Sequence, residues 1–240
     1  MSASGTLLLL PTLLADASVD AALPAKTIEA ARATRRYLAE NAKSARAFLR
    51  AIGHPVPLRE LDIVEIGHAP DAAKIDAWLR PLQTGHDAAL VAEAGCPAVA
   101  DPGASIVARA HELGIAVRPL VGPSSLLLAL MASGFEGQRF RFVGYLPQDA
   151  AALASAVRAL EADSRRGETQ LFIETPYRND KLLSALLDHC HGGTRLAVAV
   201  DLTGTGETIV SQTIAAWRAT PNDKRPSLLR RPATFALLAS

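Results

Sequence analysis

Apolar residues in this chain fall in short runs, separated by longer stretches where they recur every three or four positions. The runs Thr6 to Leu10, Asp62 to Ile66, Ala88 to Val91 and Val117 to Leu120 read as buried strands. Between them, helical spacing predicts helices at Ala25 to Leu38, Ala42 to Ala51, Asp71 to Leu82 and Ala104 to Leu113. In the third of these, Ile75, Trp78 and Leu79 stand at i, i+3 and i+4 and supply one buried face. Such alternation of strand and helix predicts a parallel sheet. The last strand runs into Val121-Gly122-Pro123-Ser124-Ser125, a turn suited to a hinge, and Leu126 to Met131 begins another helix. The pattern then restarts with a strand at Phe140 to Tyr145, a helix at Ala150 to Ala162 and a strand at Gln170 to Glu174. A helix at Asp180 to Cys190, a strand at Arg195 to Asp201, the segment Thr208 to Trp217 and a terminal run Ala233 to Ala239 complete it. The chain reads as two α/β domains, residues 1–121 and 122–240, with no repeat relating them.

Composition narrows the architecture. Of 240 residues, 49% are apolar but only 5% aromatic, so the core is built from Ala, Leu and Val, which suits helices on a buried sheet better than an aromatic-rich sandwich. A formal net charge of +1 gives no electrostatic footprint for wholesale binding of nucleic acid or membrane, and any RNA must be gripped locally. Cys96 and Cys190 stand far apart and read as reduced thiols of a cytoplasmic protein. The run Leu7 to Leu14 has no preceding Lys or Arg and is broken by Pro11, so it reads as a first buried strand rather than a signal peptide. No stretch approaches the ~18 apolar residues of a membrane span.

Candidate chemistry concentrates at the exit of the third predicted strand. Residues 91–103 combine Gly95 and Gly103, which allow close backbone approach, with Pro97, Pro102 and one carboxylate, Asp101. Ligands of open α/β sheets sit outside the carboxyl ends of strands, so this turn is a site candidate; an ordinary strand-to-helix turn is the plain alternative. No Gly-x-x-x-x-Gly-Lys-Ser/Thr loop is present, and Gly204-Thr205-Gly206-Glu207 lacks the third glycine of a dinucleotide fingerprint. His189-Cys190-His191 has metal-ligand residue types, but adjacent helical positions diverge, and no metal is expected.

Four strings occur in order: Ala94-Gly95-Cys96-Pro97 with Asp101-Pro102-Gly103, Gly122-Pro123-Ser124-Ser125, Gly144-Tyr145-Leu146-Pro147, and Glu174-Thr175-Pro176-Tyr177-Arg178. The set resembles the tetrapyrrole methylase superfamily of S-adenosylmethionine enzymes, and within it the branch that methylates a ribose 2′-hydroxyl of small-subunit ribosomal RNA. The resemblance implies two α/β domains, the N-terminal one mainly parallel and the C-terminal one with a mixed sheet, and a cofactor cleft between them. It departs in two places. The opening string of that branch survives only as Leu10-Pro11-Thr12-Leu13-Leu14, without its glycine and asparagine, and its Glu-Asp-Thr-Arg string appears as Glu40-Asn41-Ala42-Lys43.

From the resemblance, S-adenosylmethionine is expected against Pro11, Glu93, Ala94, Gly95, Pro97, Asp101, Gly103, Pro123, Ser124, Ser125, Tyr145 and Leu146, held largely through main chain. Asp101 orients the loop or cofactor, or else caps the helix near Ala104; Ser124 and Ser125 are expected chiefly as caps. Glu174 and Arg178 are the catalytic candidates, holding an acceptor phosphate or deprotonating a hydroxyl, with an i, i+4 ion pair as the plain reading. Tyr177 keeps a ring for stacking. Lys224, Arg225, Arg230 and Arg231 read mostly as solvated surface. The expected function is methyl transfer by a cytoplasmic homodimer, to ribosomal RNA or, alternatively, to a tetrapyrrole or other small molecule. A binding protein without catalysis is the third reading.

Overall fold

A computed structural model describes residues 4–239. The chain divides into two compact units: residues up to Leu13 with Ala17–Pro123, and Leu14–Asp16 with the residues from Ser124 onward.

The first unit contains, in order, β1 (Thr6–Leu10), α1 (Val19–Ala22), α2 (Ala25–Ala33), β2 (Arg36–Ala39), α3 (Ala42–Ala51), β3 (Asp62–Glu65), α4 (Ile75–Gln83), β4 (Ala88–Val91), α5 (Ala104–Glu112) and β5 (Ala116–Pro119). Its five strands are all parallel, in the order β3-β2-β4-β1-β5. Because both faces are covered, the central strand β4 is a continuous apolar run with every residue buried. Successive residues feed opposite layers: Leu7 and Leu90 pack with Leu79, Leu82 and Ile106 on one face, while Leu8, Ala89 and Val91 pack with Ile28, Phe48 and Leu49 on the other. Asn41 caps α3, its side chain accepting from the N–H groups of Lys43 and Ser44.

One strand differs from the sequence expectation of a helix running to Leu38. The helix stops at Ala33, and Arg36–Ala39 is β2, between β3 and β4. Thr34 takes an extended conformation and its hydroxyl donates back to the Ala30 carbonyl. The Tyr37 hydroxyl donates to the Ala31 and Thr34 carbonyls, which satisfies the end of α2 and turns the chain into the sheet.

The second unit contains α6 (Ser125–Ser133), β6 (Phe140–Tyr145), α7 (Ala150–Ser164), β7 (Thr169–Ile173), α8 (Asn179–His189), β8 (Arg195–Val200), β9 (Thr208–Thr213), α9 (Ile214–Ala219) and β10 (Ala233–Leu238). The strand order is β6-β7-β10-β8-β9; only β6 and β7 are parallel, so the sheet is mixed. Helices α7, α8 and α9 cover one face around Phe172, Val198, Trp217 and Phe235. Helix α6 covers the other, through Leu126 and Leu130 against Leu171, Ala197 and Ala236. Thr208 to Trp217 is split at Thr213, whose side chain caps α9 by accepting from Ala216 N–H. Among the described residues no helix is long and apolar enough to cross a membrane.

Candidate functional site

The carboxyl edge of the parallel sheet gathers the exits of β1, β2, β3 and β4. Thr12, just past β1, donates its N–H to the Gly95 carbonyl at 2.9 Å and so fastens the first exit to the fourth. Residues 92–103 form no regular element, and four of them take positive φ: Gly95 at 76°, Ala98 at 64°, Ala100 at 61° and Gly103 at 128°. Left-handed alanines cost about 1–3 kcal/mol each, and such strain persists where surrounding structure holds it. Among the described residues, the main chain of 94–102 makes only the Thr12–Gly95 bond and a Val99–Cys96 bond to other main-chain groups. Most amide and carbonyl groups of the loop thus have no main-chain partner among the described residues. A Cβ at Gly103 would lie 2.6 Å from Leu90 Cδ2, and one at Gly122 only 2.3 Å from Pro11 Cγ. These two glycines let the loop and the β5 exit close down on β4 and on Pro11.

Above this edge stands an acidic group. Burial, reinforced by the Glu40 and Glu93 carboxylates, pushes the Asp101 carboxyl up to about 7, while His68 opposes the rise. His68 Nδ1 lies 2.7 Å from Glu40 Oε1, and that hydrogen bond raises the imidazole above its ordinary range. Glu40 Oε2 is buried and has no partner among the described residues. Burial, with a smaller contribution from Asp101, also raises the Cys96 thiol. Asp101 does not cap α5: Gly103 occupies that position without a side-chain bond. Ser124 occupies the N-cap of α6, but its hydroxyl makes no capping bond, so the expectation of side-chain capping there is corrected.

In the second unit, one end of the sheet carries Tyr145 at the end of β6 and Glu174 just past β7, with Tyr145 opposite Ile173 in the ladder. Glu174 is buried; Oε2 lies 2.7 Å from Arg178 Nη2, and Oε1 accepts from Thr175 N–H at 2.6 Å. Both carboxylate oxygens are thus engaged. Tyr177 is exposed, with the Arg230 guanidinium 5.9 Å from its ring centroid. Arg230 donates its N–H to the Pro176 carbonyl, Asn179 Nδ2 bonds the Arg231 carbonyl, and Arg231 pairs with Asp201 at 2.7 Å. The basic C-terminal cluster is therefore not simply solvated: Arg225 also donates to the Trp217 carbonyl.

Residues 13–217 match the family described as Tetrapyrrole (Corrin/Porphyrin) Methylases. The chain belongs to this family. A tetrapyrrole methylase fold also appears in the solved structure of uroporphyrin-III-C-methyltransferase from Thermus thermophilus, with a TM-score of 0.57 at 17% identity, covering 98% of this chain and 92% of that one. Ribosomal RNA small subunit methyltransferase I of Pseudomonas aeruginosa is 38% identical over 138 residues, 58% of this chain and 48% of that protein. The protein of the same name from Mycobacterium bovis is 33% identical over 224 residues, 90% of this chain and 74% of that one. The chain thus spans about half the length of several curated relatives it matches.

Within this tetrapyrrole methylase chain, Pro11, Glu93, Ala94, Gly95, Pro97, Asp101 and Gly103 gather at the β1 and β4 exits. Pro123 lies beside them, its carbonyl 3.5 Å from Cys96 Sγ. Tyr145, Glu174 and Arg178 share one end of the second sheet. Leu146 is buried in the core of the second unit, so its side chain serves packing. Sequence reading passed over His68 and the role of Glu40. The parallel register of β2 and β3, which sets Ala39 opposite Glu65, brings these two exits together. Among the described residues no group of three His, Cys, Asp or Glu is placed to hold a metal.

Proposed function

We propose that the chain is an S-adenosylmethionine-dependent methyltransferase that modifies a ribose 2′-hydroxyl of small-subunit ribosomal RNA, working as a cytoplasmic homodimer. The observation that carries this reading is the loop after β4, with four left-handed residues and a largely uncommitted main chain. It fits a cofactor bound chiefly through backbone, and Asp101, which makes no side-chain hydrogen bond among the described residues, fits its polar end. The names of the relatives support the acceptor. When bound, the cofactor supplies an activated methyl group whose leaving group needs no protonation. The chain's own task is then alignment and exclusion of water rather than nucleophilic catalysis. Glu174 fixes the Arg178 guanidinium by its ion pair, and Arg178 orients an acceptor phosphate. Glu93, Ala94, Gly95, Pro97 and Gly103 with Pro11 and Pro123 form a wall for the cofactor within the first unit.

Isothermal titration with S-adenosylmethionine and S-adenosylhomocysteine tests the cofactor assignment; absence of heat with both would refute it. Mapping ribose methylation in ribosomes of a deletion strain tests the acceptor, with one site expected to lose its methyl group. A second reading, methylation of a tetrapyrrole or other small molecule, draws on the second exit, where Asn41 is spent on capping α3 and Lys43 is exposed. An unchanged ribosomal RNA together with cofactor binding would favour it, and turnover of any acceptor would dispose of a purely binding role.

A further inference from the structure

The opposite, amino-terminal edge of the parallel sheet holds a cavity of about 870 Å³ that the proposed methyl-transfer site does not use. Its walls come from the starts of β2 and β3, the ends of α2 and α4, the turn before β4, and Leu8 and Arg118 of the paired strands β1 and β5. Gly85, at a φ of 94°, lets that turn bend under the cavity. The lining is amphipathic in a particular way. Leu8, Ala30, Ala33 and Pro81 give an apolar surface, and four guanidinium groups surround it: Arg35, Arg36, Arg80 and Arg118.

Three carboxylates also line the cavity, and each already has a partner. Asp62 is held by Arg36, and Asp87 accepts the Thr6 N–H at 2.7 Å. Glu60 pairs with Arg59 at 3.8 Å, well exposed. By contrast Arg35, Arg80 and Arg118 make no side-chain hydrogen bond or close ion pair among the described residues, though the Arg80 charge also acts on Asp76, and the Arg36 Nε is buried without a partner. In an otherwise nearly neutral protein this is a local surplus of planar, forked donors around an apolar hollow. Guanidinium forks match phosphate, and their planes and the apolar walls accept a base. A hollow of this volume lies in the range of nucleotide-sized sites.

We propose that this cavity receives a nucleotide of the RNA acceptor remote from the methylated ribose, with Arg35, Arg80 and Arg118 on its phosphates and the Leu8, Ala30 and Pro81 surface against its base. The inference deepens the ribosomal RNA reading and rests on it. It gives the chain a second grip on its acceptor, on the sheet edge opposite the cofactor loop.

The test compares the wild-type protein, R80E/R118E, the milder R80Q/R118Q, and a control double reversal at exposed positions elsewhere, R158E/R166E. Binding of a fluorescein-labelled single-stranded RNA and of purified small ribosomal subunits is followed by anisotropy and filter retention over a salt series, and S-adenosylmethionine binding by calorimetry. R80E/R118E is expected to lose RNA affinity at least tenfold and to flatten the salt slope by about two. R80Q/R118Q should lose less, the control nothing, and cofactor affinity should hold in all three. Equal losses in R158E/R166E, or RNA binding by R80E/R118E at wild-type strength, would overturn the proposal and leave the ribosomal RNA reading standing. Wild-type protein that binds S-adenosylmethionine but neither RNA probe would overturn both. An ADP competition arm identifies the source: ADP binding lost in R80E/R118E with RNA binding kept would make this a free-nucleotide site and also overturn the RNA assignment.

Discussion

At the scale of single residues, Asp101 carries the clearest pH signature. Its folded-state pKa, about 7, lies above the ordinary carboxylate value of 3.8, so the folded state disfavours the ionised form. Stability is therefore greatest below the unfolded value and declines as pH rises toward 7. D101N removes this penalty, and urea titrations should show it more stable than wild type at pH 8, by on the order of 1 kcal/mol because partial exposure screens the charge, and indistinguishable at pH 4. A cationic ligand beside Asp101, Glu40 and Glu93 favours the ionised carboxylate. S-adenosylmethionine affinity should then rise with pH up to about 7 in wild type and rise less steeply in D101N, where His68 still titrates, as calorimetry in buffers of different ionisation heat will show. Gly103 tests the loop from the steric side. Alanine there meets both a φ of 128° and the Leu90 methyl, whereas alanine at Gly134, with a φ of 70°, meets nothing within 4 Å. G103A should cost about 2–3 kcal/mol of unfolding free energy and G134A about 1.

At the scale of elements, legibility followed how distinct the local pattern was. The strands β1, β4 and β8 and the helix α3 were readable from sequence because a covered strand is one apolar run and a capped amphipathic helix has a marked face. Strand β2 was not, because Ala-Arg-Ala-Thr-Arg-Arg continues the helical pattern and only the Thr34 and Tyr37 hydroxyls, bonded to carbonyls of the preceding turn, mark the break. Y37F isolates that device. The Ala31 carbonyl keeps the Thr34 N–H and the Thr34 carbonyl keeps His54 Nε2, so losing the hydroxyl should cost about 1 kcal/mol. Hydrogen exchange should localise the loss to α2 and β2. The same register explains the site residues that sequence did not reveal. Glu40 and His68 are 28 positions apart and meet because β2 and β3 run parallel and end level. The Gly/Pro-rich loop after β4 was legible because its chemistry lies in its own backbone. The antiparallel pairing of β10 between β7 and β8 left no local trace, since it depends on the last strand of the chain returning to the middle of the sheet.

At the scale of the whole molecule, 25 basic residues against 24 acidic ones leave no long-range field to gather a polyanion, and the proposed RNA affinity must come from a few placed guanidinium groups. Arg178 is the one tied most firmly. Its partner Glu174 has a side chain only 1% exposed, so R178Q strands a buried carboxylate as well as deleting the proposed phosphate contact. Stability and RNA contact are then confounded in the single variant. E174Q/R178Q separates them, because neutralising both partners removes the stranded charge without restoring the cation. R178Q should be destabilised by about 1–3 kcal/mol and E174Q/R178Q by less. Both should show about a tenfold lower kcat/KM for small ribosomal subunits and a salt slope reduced by about one, with S-adenosylmethionine affinity unchanged. If activity instead returned in the double variant along with stability, Arg178 would be a structural partner of Glu174 alone, and the acceptor phosphate would have to be held elsewhere on the chain.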